Sequence, residues 1–201
     1  MKTKKFTTSQ LTILGLMAGI LFLMAYTPLG YLNIGPLAVT FNVIPVAVCA
    51  IVLGPTGGAI AGAVFGLTSF MQAIGIGGVS ALGSALFQIN PFMTAVQCFG
   101  PRILDGICIG FIYRAVHKKA NTYVSCAVTG FFSAFLNTLF FMTALIVMFG
   151  NTELIRNLMG GHNIIVGCRL MVGVNAISEM VSSTIITAAV GTALSKAHLI
   201  P

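Results

Sequence analysis

No lysine occurs between Lys5 and Lys118, and the chain is apolar almost throughout that stretch. Of 201 residues, 57% are hydrophobic and only 6% are charged, against about 25% charged in an ordinary soluble domain. Such a chain belongs in lipid. There, each backbone N–H and C=O must find its partner within the protein, which restricts the spanning structures to helices and closed barrels. The apolar runs approach the roughly 20 residues that a helix needs to cross the hydrocarbon. The sequence therefore predicts an all-α membrane protein.

Six segments qualify: about 9–26, 42–53, from the GPTGG turn to 72, 92–113, 122–149 and 164–194. The second is short for a full span. Gly100-Pro101 marks either a kink or a true start within the fourth. The length allows one domain, taken as residues 1–201. Lys2, Lys4 and Lys5 before an apolar run resemble a signal peptide, but a retained first helix is the simpler reading. Placing those lysines inside also puts Arg114, Lys118, Lys119 and Lys196 in the cytoplasm and leaves Arg102, Arg156 and Arg169 toward the outside. That bias predicts both termini cytoplasmic. With no tryptophan, the interface belt falls to tyrosine: Tyr26 and Tyr31 outside, Tyr113 and Tyr123 inside. The outer connections, 27–41, 73–91 and 150–163, are long, and long loops on one face carry function. An outward-opening pocket with lids is expected.

The few polar residues inside the apolar segments are the candidate site. Arg102, Asp105, Asn137, Arg169, Asn175 and Glu179 all lie there, and an ionisable group at the bilayer centre costs about 2.5 kcal/mol or more. Asn175, Glu179, Ser182 and Ser183 fall on one face of the last helix, and Thr129, Ser133 and Asn137 on one face of the fifth. Two such stripes can converge on a ligand cage, or they can clamp two helices at roughly 0.6 kcal/mol per bond. Arg102 and Asp105, three residues apart, can pair; Arg102 or Arg169 could instead hold a ligand carboxylate or phosphate. Asn33, in the loop after the first helix, completes the candidate substrate-binding set: Asn33, Arg102, Asn137, Arg169, Asn175 and Glu179.

Small residues suggest two contacts. Gly54, Gly58, Gly62 and Gly66 form a four-residue ladder that reads as internal packing, whereas Gly15, Ala18 and Gly19 on the first helix read as a partner surface. The net charge of +7 is spread over segment ends, which does not suggest nucleic acid. Five scattered cysteines read as small buried hydrophobes, and three separated histidines suggest no metal site. No nucleotide-binding GxxxxGK[ST] motif occurs, no catalytic constellation stands out, and no cofactor is expected. Energy for accumulating a ligand would come from other subunits.

The whole chain resembles a substrate-binding S component of an energy-coupling factor (ECF) vitamin transporter. The resemblance rests on the basic N-terminus and Gly15/Gly19 helix, the loop TPLGYLNIGPLAVTFNVIPV, the turn LGPTGGAIAGAVFG, the segment GPRILDGICIGFIYR and the closing NAISEM…TAL helix. It implies six transmembrane helices and an outward pocket capped by the loop after helix 1. It also implies partnership with a membrane T subunit, docked on the first helix, and with two ABC-type ATPases. Delivery would proceed by toppling of the loaded subunit in the bilayer. The loop and the GPRIL segment look most like the pantothenate type; hydroxymethylpyrimidine, pyridoxine and riboflavin are the alternative vitamins. A stand-alone secondary transporter or channel is the competing reading.

Overall fold

A computed structural model describes residues 7–27, 31–33, 38–77, 80–158 and 164–200, with the backbone alone described at 31–33, 38–39, 164–172 and 174. Seven helices and one small hairpin follow in order: α1 (Thr8–Ala25), β1 (Tyr31–Asn33), β2 (Ala38–Thr40), α2 (Val43–Ala73), α3 (Ala81–Ile89), α4 (Pro91–His117), α5 (Thr122–Phe149), α6 (Glu153–Leu158) and α7 (Ile164–Lys196). Five of the described helices are long and apolar enough to cross a membrane.

The helix α2 is broken at Gly54, whose φ of 73° and ψ of −163° lie outside the helical region. Pro55 follows and cannot donate to the preceding turn. The chain doubles back there, because a Cβ on Gly58 would stand 3.0 Å from the Cβ of Ala50. Gly54 itself is fixed twice over, by its positive φ and by the Arg114 guanidinium lying where its side chain would be. The short second segment expected from the sequence is the first arm of α2, residues 43–53. At 1.5 Å per residue it rises only about 16 Å, roughly half of a 30 Å hydrocarbon core.

The second arm of α2 lies antiparallel on α4 along the glycine ladder. Gly58 faces Gly106, Gly62 faces Arg102, and Gly66 faces Cys98 and Phe99, each step of four along one helix matched by a step of four back along the other. A Cβ on Gly66 would lie 2.9 Å from the Cys98 carbonyl and from the Phe99 Cα. The backbones touch with no room for a side chain, which is the small-residue packing that membrane helices use in place of the hydrophobic effect. The ladder is internal, as its composition suggests. By contrast, Gly15 and Gly19 meet nothing within 4 Å, and Leu11, Leu16 and Leu23 of α1 are also exposed.

The helix α4 runs unbroken through Pro101, so Gly100-Pro101 is not a helix start. Its own start is Asn90, whose Oδ1 accepts the N–H of Met93 at 3.1 Å. The helices α3 and α6 fall in connections that read as loops in sequence. The first is capped by Ser80, whose Oγ accepts from Gly83 N–H at 3.1 Å. The second is packed through Ile155 against Phe149, Leu145 and Leu86.

Candidate functional site

The helices α5 and α7 pack antiparallel, and their polar stripes face each other. A Cβ on Gly130 would strike the carbonyl of Ser183 at 2.5 Å and the Cβ of Thr187 at 2.8 Å. Thr129 and Ser133 on α5 and Ser183 and Thr187 on α7 are essentially fully buried, and Asn137, Asn175 and Glu179 are nearly so. Ser182 lies beside the stripe, half-buried, and its hydroxyl donates to its own helix at Ser178. The two polar rows thus converge, as their spacing predicts.

Depth along the bundle follows from cross-helix bonds. Gln97 Nε2 donates to the Phe141 carbonyl at 2.9 Å, which sets the register of α4 against α5. Five residues further along α4 is Arg102, and four residues back along α5 is Asn137, so these two share a level. One residue further on α5, the Thr138 hydroxyl faces Glu179 Oε2 at 3.5 Å. Arg102, Asn137 and Glu179 therefore stand at one level on three helices, with Asn175 one turn earlier on α7. The side chains of Asn33 and Arg169 lie outside the described residues.

Arg102 does not pair with Asp105. The spacing allows an ion pair, but none forms among the described residues. Pro101 has no N–H to give the Gln97 carbonyl, and the guanidinium turns back to supply one. Nη1 donates to Gln97 O at 3.3 Å and to Cys98 O at 3.0 Å. The cation sits against the rings of Phe65 at 4.6 Å and Phe141 at 5.5 Å, a placement that favours a desolvated guanidinium. Its Nε is buried and has no partner among the described residues, and the same holds for Oδ1 of Asp105. Among the described residues Arg102 thus forms no ion pair, and part of its donor fork is unspent. Asn137, 7% exposed, makes no hydrogen bond among the described residues.

The chain between β2 and α2 is bonded to both α5 and α7. The strands β1 and β2 pair antiparallel, Tyr31 opposite Thr40 and Asn33 opposite Ala38. The Thr40 N–H donates to Glu179 Oε1 at 2.6 Å, and Ser133 Oγ donates to the Val43 carbonyl at 3.2 Å. Ser133 is near the middle of α5, so this non-helical backbone reaches well inside the bundle. Such backbone is tolerated at that depth only where protein encloses it or it lines a cavity. Asn42, fully buried, leaves both of its amide atoms unpartnered. Asn42, Gln97 and the Thr40 amide were not singled out in sequence. The glutamine was visible as a polar residue in an apolar run, whereas a backbone amide carries no sequence signal.

A family model described as "ECF transporter, substrate-specific component" matches residues 9–191. The chain belongs to this family. It is a transporter component and not an enzyme, and it is a multi-pass protein of the cell membrane. Two curated relatives resemble it over most of its length. One, named pantothenate transporter PanT, from Leuconostoc mesenteroides subsp. mesenteroides, is 33% identical over 178 residues, covering 85% of this chain and 81% of the relative. The other, pantothenic acid transporter PanT from Lactococcus lactis subsp. cremoris, is 28% identical over 208 residues, covering 97% and 98%.

Proposed function

We propose that this S component binds pantothenate in the space between α4, α5 and α7 and works as the substrate-binding subunit of an ECF importer. The observation that carries the reading is Arg102: a guanidinium among apolar helices that forms no ion pair among the described residues and keeps a buried Nε unspent there, at the level of Asn137. Pantothenate is a carboxylate with hydroxyls and a secondary amide. Its carboxylate suits a planar donor fork, and its hydroxyls and amide suit Asn137 and Asn175. Arg169 and Asn33 are assigned to the outer part of the same site, and Glu179 to its inner wall. The naming of both matched relatives as pantothenate transporters supports the same ligand.

The break in α2 supports six passes in a single domain, since its two arms run in opposite directions. The lysine and arginine bias supports cytoplasmic termini and a pocket that opens outward. The open Gly15/Gly19 face of α1, with Ala18 half-buried beside it, is the surface assigned to the membrane T subunit. Two ABC-type ATPases would drive toppling of the loaded subunit. Reconstitution tests this: liposomes holding the chain with its T subunit and ATPases should take up labelled pantothenate when ATP is supplied. Liposomes holding the chain alone should not. Gradient-driven uptake by the chain alone would make it a self-sufficient transporter and sink the proposal.

A further inference from the structure

We infer that Asp105 and Asn42 form a second tier of the substrate site, one helical turn past Arg102, and that this tier reads the ligand's hydroxyls. The inference deepens the proposal that this chain binds pantothenate, and it rests on that proposal.

The tier follows from the helix registers. Gln97 on α4 is bonded to Phe141 on α5. Eight residues further along α4 is Asp105, and eight residues back along α5 is Ser133, so these two share a level. On α7, Ser183 lies one turn past Glu179. Ser133 Oγ donates to the Val43 carbonyl at 3.2 Å, which brings the head of α2, and Asn42 with it, to the same level. Around α4, Asp105 lies about 80° from Gln97, which meets α5, and about 100° from Gly106, which meets Gly58 of α2. Its burial, at 2% exposed, turns it into the bundle between those two contacts. Asn42 and Ser183 are as deeply buried. Asp105 Oδ1, both amide atoms of Asn42 and Ser183 Oγ have no partner among the described residues.

A buried acid without a donor is costly in a membrane-spanning helix, and so is a buried amide that bonds nothing. Local structure explains neither. Asn42 precedes α2 yet makes no side-chain capping bond, and Asp105 forms no ion pair among the described residues. Such groups are matched by a ligand that brings hydroxyls, which donate and accept. Pantothenate carries its hydroxyls at the opposite end from its carboxylate. The two tiers stand about 5.4 Å apart along the helix axis, less than the extended length of that molecule. With the carboxylate on Arg102, the hydroxyls reach Asp105, which accepts from them, and Asn42, which accepts and donates. Asp105 also repels the carboxylate, so the cation and the acid together fix which end of the ligand lies where.

The test is a preference between two ligands, which general damage to the fold does not mimic. Pantothenate and its analogue with both hydroxyls replaced by hydrogen are titrated by calorimetry into the purified chain. The wild-type chain should prefer pantothenate by about tenfold or more. Asp105→Ala should lose about tenfold or more of pantothenate affinity, and Asn42→Ala about threefold. Both should bind the analogue within about threefold of wild type. Asp105→Asn keeps the shape and one acceptor oxygen, and its preference should fall between those of wild type and Asp105→Ala. A preference undiminished in Asp105→Ala or in Asn42→Ala would overturn the inference. So would an Asp105→Ala chain that no longer folds beside a folded Asp105→Asn with the wild-type preference, because the acid would then serve the protein and not the ligand. A wild-type chain that ignores pantothenate would remove the ligand reading and this inference with it, whereas binding with the preference unchanged across the variants would remove this inference alone.

Discussion

Arg102 carries two roles in this account, and a proline separates them. Pro101 leaves the Gln97 carbonyl without its i+4 donor, and Arg102 Nη1 supplies it. Arg102→Met removes that donor while keeping a long apolar side chain against Phe65 and Phe141. The stability loss should be about 1–3 kcal/mol, the cost of a buried acceptor left unmatched. The same variant loses the partner of the ligand carboxylate, worth about 1.5–3 kcal/mol or roughly 10–100-fold in affinity. Adding Pro101→Ala returns an N–H to Gln97 O and gives the helix a better former. The double variant should regain most of the stability and none of the affinity. Thermal unfolding can be followed with a thiol-reactive dye, since the chain lacks tryptophan and Cys49, Cys98 and Cys126 are buried. Affinity can be followed by calorimetry. Recovery of pantothenate affinity in the double variant would refute the reasoning, because Arg102 would then act only through the geometry of α4.

Other outcomes are equally specific. Asn137→Ala should weaken pantothenate binding by about 1–3 kcal/mol with little change in melting temperature; unchanged affinity would assign Asn137 to packing. Gly106→Ala should lower the melting temperature, since its Cβ would enter the Gly58 backbone, an overpacking that costs about 1–3 kcal/mol. Gly100→Ala, with nothing within 4 Å, should be neutral or slightly stabilising; equal effects at the two sites would break the proposed α2–α4 register. Gly15→Leu or Gly19→Leu should spare pantothenate binding and abolish uptake by the assembled transporter. Normal uptake would remove α1 as the docking surface.

Most of the helical frame is legible in the sequence because lipid leaves so few choices. The long apolar runs become α1, the two arms of α2, α4, α5 and α7, with ends shifted by a few residues. The turn at Gly54-Pro55 is readable from the GPTGG cluster and the short segment before it, whereas the same Gly-Pro pair at 100–101 lies inside an unbroken α4. The internal role of the Gly54–Gly66 ladder was readable too, although its partner was not: composition cannot say which helix lies opposite. What the sequence hides is bonding that depends on the third dimension. Arg102 and Asp105 are spaced to pair, yet the carbonyl exposed by Pro101 takes the guanidinium. Glu179 reads as one more polar residue of a stripe, yet its main donor is a backbone amide 139 positions away. The short helices α3 and α6 read as loops because glycine, asparagine and brevity outweigh the Ser80 cap and the Thr152 Oγ1 that accepts from Ile155 N–H at 3.5 Å.

The central claim is that this chain alone holds one molecule of pantothenate. Titration of the purified, detergent-solubilised chain with pantothenate tests it most directly. Saturable binding at one ligand per chain is expected, weakened in Asn137→Ala. A folded, monodisperse chain that ignores pantothenate, or that prefers hydroxymethylpyrimidine, pyridoxine or riboflavin, would contradict it.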